Sequence, residues 1–324
     1  MNPSVKTFDV IALGELNVDL ILNRVDGLPV VGKEIFAREM TCTLGSSTAI
    51  FAANIASLGV RTAFAGMIGR DDFGALVRRS LDARGVDTRY VIESEHAATG
   101  ATLVLSYGED RANVTYPGAM EQLHYADLDP ELFRMTRHIH ISSLFMQPGL
   151  LADIGPILRA AHDNGVTVSL DTQWDPSETW KLDCREVLPL VDVFMPNESE
   201  LKALTCSTTL DEAIDRVRPF LRRAMVVKCG SRGSILVASD GTRRAIGALL
   251  NPHAVDTIGA GDSFNAGFVS RFIRGASLEA CQDMGNIMGA ISTTAAGGTG
   301  AFADRESIER TARQHFAISI NEVL

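Results

Sequence analysis

Asp256-Thr257-Ile258-Gly259-Ala260-Gly261-Asp262-Ser263-Phe264-Asn265-Ala266-Gly267-Phe268 joins a turn of small residues to a carboxylate and then to a helical repeat. Phe264, Phe268 and Phe272 recur every four residues with Val269 and Ile273 beside them, so the spacing predicts a helix over about 262–274, ended by Gly275. Its N-terminus abuts Gly259, Ala260 and Gly261. Such small residues let backbone N–H groups approach an anion closely, where the helix dipole also favours one. Asp262 stands at that edge, either as an N-cap closing a tight turn or as a base beside a phosphate cradle. Spacing alone leaves both readings open.

Outward from this stretch, composition is that of an ordinary enzyme. Of 324 residues 46% are hydrophobic and the mean hydropathy is +0.10, ample for a substantial core. A net charge of −10 and a pI near 5.2 argue against nucleic acid or an anionic membrane as the main partner, since either calls for clustered Lys and Arg. No apolar run reaches membrane-spanning length and residues 1–10 lack a signal-peptide pattern, so a cytoplasmic location is expected. Cys42, Cys184, Cys206, Cys229 and Cys281 are scattered without metal-site or redox spacing; reduced, mostly packed thiols are expected. Walker A, HRD, DFG and GxSxG motifs are all missing, which leaves phosphate handling to the Gly259 loop.

Strand-forming runs at 8–13, 61–68, 138–145, 166–170, 191–195 and 225–228 alternate with helical patterns, among them 49–58, 73–81, 150–161, 278–295 and 305–316. Alternation with short turns predicts a mostly parallel sheet, with ligands gathered at strand C-terminal ends. Asn17 and Asp19 follow the first such run, and Lys228, Gly230 and Gly233 the last. Lys228 faces either a triphosphate or solvent. Residues 99–105 and 111–116, on either side of Gly108-Glu109-Asp110, read as a hairpin. Asn197 and Glu200 share a face at a helix start, as a capping box or, with phosphates completing the shell, as a Mg²⁺ site. His138 and His140 read as packed histidines.

The stretch from Asp256 to Phe268 resembles the C-terminal signature of the ribokinase-like (PfkB) carbohydrate kinase family, in the form D-T-x-G-A-G-D-x-F-x-x-G-F. The resemblance extends over residues 14–300. It implies an α/β fold, a three-layer sandwich with a mostly parallel central sheet, residues 1–324 forming one kinase domain with a small β-sheet lid from segments near 17–44 and 98–119. The implied reaction is ATP-dependent transfer of the γ-phosphoryl group to a hydroxyl of a sugar or sugar derivative. Asp262 would take the proton, and the backbone of Gly259, Ala260 and Gly261 would form the anion hole. Asn17, Asp19, Gly45 and Ser46 would bind the sugar. Lys228 and the G-x-x-G turn at Gly230 and Gly233 would lie on the nucleotide side, and Asn286 would border adenine. Asn197 and Glu200 would organise Mg²⁺, often through water, and Asp256 would hold the loop, in some members with K⁺.

The chain also departs from the family. Ser46 stands at the second Gly of the first signature and Ile50 at its Asn, with Asn54 one turn on. In the D-x-N-x-R run of several sugar-acid and hexose kinases, Gln173 replaces the Asn and Asp175 the Arg, so an anionic acceptor relying on that Arg would be poorly served. Nucleoside kinases use the same machinery and are the alternative. A non-catalytic sugar- or nucleotide-binding relative is the reading of another class, and the intact Asp262 and Asn197–Glu200 pair speak against it. Expected partners are therefore a small sugar-like substrate, no nucleic acid, no membrane, and a second copy of the chain through the lid.

Overall fold

The computed structural model describes residues 6–107 and 110–320, without the side chains of Asp110 and Arg111. Gly108 and Glu109 of the expected hairpin turn lie outside the described residues, as do residues 1–5. Among the described residues thirteen strands are formed: Phe8–Leu13 (β1), Asn17–Asn23 (β2), Glu39–Leu44 (β3), Thr62–Gly69 (β4), Asp87–Ser94 (β5), Gly100–Tyr107 (β6), Asp110–Tyr116 (β7), Thr136–Ser142 (β8), Thr167–Asp171 (β9), Val193–Phe194 (β10), Ala224–Lys228 (β11), Ser234–Ala238 (β12) and Arg243–Ile246 (β13). Nine make one sheet in the order β13-β12-β11-β10-β9-β8-β1-β4-β5, parallel from β11 to β5 and antiparallel at β12 and β13. The other four make a second sheet, β3-β2-β6-β7.

Successive side chains of a strand point to opposite faces, so a central strand feeds two layers. Ile11 and Leu13 of β1 pack with Ile157 and Leu158 of the helix Ile154–Asp163. Val10 and Ala12 join Phe51 and Ile55 of the helix Ser47–Ser57 and Phe268 of the helix Ala260–Phe272. The result is the expected α/β three-layer architecture with helices on both faces of a mostly parallel sheet.

Several boundaries differ from the sequence reading. Strands β5 and β13 are the two edges of the large sheet. With one side unpaired, an edge tolerates polar sequence, and DTRYVIES and RRAI carry little of the apolar run that marks a buried parallel strand. The strand expected over 138–145 ends at Ser142, because Ser143 (φ 52°) turns the chain into the short helix Leu144–Met146. The helix expected over 150–161 is two, Pro148–Ala152 and Ile154–Asp163. Pro156 has no N–H to give the carbonyl four residues back, which interrupts the ladder there.

The small sheet draws its strands from within 17–44 and 98–119. Its register sets Thr43, Asp19, Thr102 and Thr115 in one row across the strands. Met40, Val114 and Tyr116 are exposed large apolar residues on this sheet. Alternation along the strands places Val114 and Tyr116 on the face opposite Thr115.

Candidate active site

The helix Ala260–Phe272 begins two residues earlier than its apolar periodicity indicates. Gly259 is the N-cap, with φ 71°, and a Cβ there would lie 2.6 Å from Gly298 Cα and 3.1 Å from Ile50 Cγ2. Both the left-handed backbone and the close approach call for glycine. Asp262 is thus a first-turn residue and not the N-cap; its side chain is buried against other groups instead of closing its own turn. Asp256 braces the same loop, Oδ1 accepting from Ile258 N at 2.9 Å and Oδ2 from Gly297 N at 3.0 Å.

Ile50 and Asn54 take structural parts here. Ile50 is buried against the Gly259 and Gly298 backbone, so this position presents no amide to a sugar. Asn54 Nδ2 donates to Ser263 Oγ at 3.0 Å and to Gly298 O at 2.9 Å, tying the loop to the helix Ser47–Ser57. Ser46 has a positive φ of 69°, a backbone that favours glycine and costs a non-glycine residue about 1–3 kcal/mol. Its hydroxyl donates to Glu15 O at 2.6 Å and accepts from Ala49 N at 2.9 Å, and so caps the helix.

On the same side, Gly45 lets the chain pass close to two side chains: a Cβ would meet Asp19 Oδ1 at 2.3 Å and Asn17 Oδ1 at 2.7 Å. Asn17 Nδ2 donates to Thr102 Oγ1 at 2.7 Å, and Thr102 and Thr115 share a hydroxyl contact of 3.0 Å. Asn17 Oδ1 is buried without a hydrogen-bond partner. Thr102 and Thr115 escape a sequence reading because only strand register brings them to Asn17. Glu15, buried and held by Thr48, is another such residue; burial raises its pKa.

The centre of the site is a chain of buried polar groups. Lys228 forms an ion pair with Asp171, whose Oδ2 also accepts from Asn265 Nδ2 at 2.6 Å. The Lys228 side chain is 12% exposed, which removes the solvent-facing reading. Burial alone would lower its pKa, but the Asp171 and Glu200 carboxylates outweigh that and hold the ammonium charged. Gln173 Nε2 donates to Asp262 Oδ1 at 3.1 Å. Burial, then the Asp171 charge, pushes the Asp262 pKa well above the usual carboxylate range, against the pull of Lys228.

Asn197 and Glu200 form a reciprocal capping box at the helix Glu198–Leu204: Glu200 N donates to Asn197 Oδ1 at 2.9 Å and Asn197 N to Glu200 Oε2 at 2.8 Å. Farther along, Asn286 Oδ1 accepts from Ser234 Oγ at 3.1 Å and its Nδ2 donates to Gly247 O at 3.3 Å. One cleft of about 890 Å³ is lined by Asn17, Asp19 and Ser46, by Gly259, Ala260, Gly261 and Asp262, and by Asn197, Glu200, Lys228, Gly230, Gly233 and Asn286. Gly45 and Asp256 stand behind its walls, touching lining residues. Asp175 closes its own loop, accepting from Ser177 N at 2.8 Å and Trp180 N at 2.6 Å. His138 and His140 are packed beside Ser169 Oγ, at 2.8 and 2.7 Å, and burial holds both neutral. Cys281 is buried and Cys184 and Cys229 pack against the core, in line with mostly packed thiols, while Cys42 and Cys206 are exposed.

Residues 7–304 match the profile described as pfkB family carbohydrate kinase. The chain belongs to the PfkB family. This PfkB kinase is 33% identical over 286 residues to the ATP-dependent ribose-1-phosphate kinase of Halopiger xanaduensis, covering 87% of this chain and 91% of that protein. It is 26% identical over 313 residues to the 2-dehydro-3-deoxygluconokinase of Bacillus subtilis, covering 93% and 94%. The structure of Arabidopsis thaliana ribokinase complexed with ribose and ATP superposes with a TM-score of 0.82 at 25% identity, over 94% of this chain and 98% of that one. The PfkB chain is accordingly a kinase of the sugar and nucleoside kinase group. Among the described residues no helix is long and apolar enough to cross a membrane.

In this PfkB kinase, burial and the Asp171 charge raise the Glu200 pKa from 4.5 to about 7. A carboxyl that binds its proton more tightly when folded stabilises most below its unfolded pKa, and that stability is lost as pH rises through the folded value. Unfolding free energy of the ligand-free protein should therefore fall between pH 4.5 and 7, by on the order of 2–3 kcal/mol from this group. Urea titrations of the parent and Glu200→Gln across that range check this; equal slopes would remove the assignment.

Proposed function

We propose that the chain transfers the γ-phosphoryl group of Mg-ATP to a hydroxyl of a sugar or sugar derivative. The observation that carries this reading is the place of Asp262: buried in the first turn of a helix whose N-terminal small residues open onto the same cleft as Asn17 and Asp19 on one side and Gly230, Gly233 and Asn286 on the other. Asp262 accepts the proton as the acceptor oxygen attacks, and the N–H groups of Gly259, Ala260 and Gly261 stabilise the charge on the transferred group. Burial and the Asp171 charge raise the proton affinity of Asp262, which suits a group that must take a proton from the acceptor hydroxyl.

Asn197 and Glu200 offer the oxygen donors that Mg²⁺ prefers, and Glu200, costly to ionise in the buried site, gains from a neighbouring dication. They would hold the ion through water, and when bound it would offset triphosphate charge. Lys228 lies beside the start of the helix Ala260–Phe272, its Nζ 3.6 Å from where a Cβ on Gly261 would stand, within reach of a bound phosphate. Asp19, Thr102 and Thr115, all on the cleft, give the small sheet a polar face suited to sugar hydroxyls; it would act as a lid, excluding water as a rival acceptor. Its exposed Met40, Val114 and Tyr116 suit a homodimer contact. The Asp256 loop would be the place for any K⁺ requirement.

The test is ADP release from Mg-ATP with a panel of neutral sugars, sugar acids, sugar phosphates and nucleosides, in K⁺ and in Na⁺, on protein whose oligomeric state has been measured. Turnover confined to sugars or their derivatives is expected. Turnover with nucleosides alone would replace the sugar reading, and ATP binding without any acceptor-dependent turnover would favour a non-catalytic relative.

A further inference from the structure

Gln173 stands where the D-x-N-x-R run has its Asn, and here it touches Asp262. It follows β9 directly, half-buried on the cleft wall, with a left-handed backbone of φ 58° that strains a non-glycine residue by about 1–2 kcal/mol. Asp171 holds it in that conformation: Gln173 N donates to Asp171 Oδ1 at 3.3 Å, and Gln173 Nε2 lies 3.4 Å from Asp171 Oδ2. Asp171 is itself fixed by Lys228 and by Asn265. The same Nε2 reaches Asp262 Oδ1 at 3.1 Å. One amide group therefore stands between two buried carboxylates, donating to both.

We propose that Gln173 is the positioning residue of the Asp262 base, its amide fixing the plane of the carboxylate and separating it from Asp171. This rests on the reading of Asp262 as the proton acceptor. A carboxylate with one oxygen held by a rigid donor presents the other in a set direction, and direction is most of what such a transfer needs from the protein. The groups that face Asp262 are the Asp171 and Glu15 carboxyls, the Lys228 ammonium and the Ser47 hydroxyl. Removing the amide takes a donor from the ionised form and leaves Asp171 facing Asp262 directly, which raises the affinity of Asp262 for its proton.

The test compares the parent with Gln173→Gly and Gln173→Asn on the acceptor that the panel identifies. Glycine accepts the left-handed backbone freely, so the urea midpoint of Gln173→Gly should hold while kcat falls about 10- to 100-fold. KM for ATP and for the acceptor should stay within about threefold, and the acidic limb of the kcat profile should move up by about one pH unit. Asparagine also tolerates this backbone and keeps an amide, so Gln173→Asn should regain part of the lost kcat. Parental kcat and pH limb in Gln173→Gly would overturn the proposal, as would a loss of kcat that only tracks unfolding. Should no acceptor turn over, or should Asp262→Asn stay active, the base reading has failed; ¹³C NMR titration of the Asp262 carboxyl then decides the contact alone. A rise in Gln173→Gly supports it, and an unchanged titration overturns it.

Discussion

Asp262→Asn is expected to lose kcat by about 10²- to 10⁴-fold, the usual contribution of a positioned general base. The substitution keeps shape and volume, and Gln173 Nε2 can still donate to the remaining carbonyl oxygen, so the site should stay assembled. What disappears is the proposed proton acceptor. ATP affinity should stay within about threefold, because the proposed nucleotide side, at Gly230, Gly233 and Asn286, lies elsewhere along the cleft. Stability should not fall, since a carboxyl whose charge is opposed by burial and by Asp171 is replaced by a neutral amide. Steady-state kinetics, calorimetric ATP binding and urea unfolding read the three parts separately. Turnover within tenfold of the parent would remove Asp262 from the chemistry.

Lys228→Met should lower the unfolding free energy by about 3–5 kcal/mol near pH 8, the cost of stripping the partner from a buried ion. Asp171 is fully buried, and with Lys228 gone it would face the nearby Glu200 and Asp262 carboxyls with only the Asn265 and Gln173 amides to offset its charge. Methionine fills nearly the same space, so packing contributes little to the loss. The loss should shrink as pH falls and Glu200 and Asp262 take up protons. Neutralising both partners, in Lys228→Met/Asp171→Asn, should recover most of the stability, because no unpaired charge remains buried. Turnover should stay low in that double variant if the ammonium also meets the triphosphate. A double variant as unstable as the single one would show that packing, and not charge, explains the effect.

Much of the site was legible because its residues come as a contiguous run. Gly259, Ala260, Gly261 and Asp262 adjoin one another, and Asn197 and Glu200 are one helical turn apart, so local geometry alone brings them together. The boundary of the helix Ala260–Phe272 was less legible: Phe264, Phe268 and Phe272 report only the part that packs, while Ala260 and Gly261 enter the helix without an apolar signal. The edge strands β5 and β13 were hidden for a related reason, being unpaired on one side and free to be polar.

Sequence by itself determined the family, the α/β class, the glycine loop and the carboxylate beside it, because each of these depends on periodicity, glycine and short-range order. The tertiary structure alone decided what the departures from the family pattern do. Ile50 packs on the glycine loop, Ser46 keeps a glycine backbone, and Asp175 closes a loop of its own. It also decided that Asp171, Gln173, Lys228, Asp262 and Asn265 form one buried network. These residues come from the end of β9 and just after it, the end of β11, and the first two turns of a helix that follows both. Strand order and crossover packing bring those ends to one point, and no local pattern in the chain encodes that meeting.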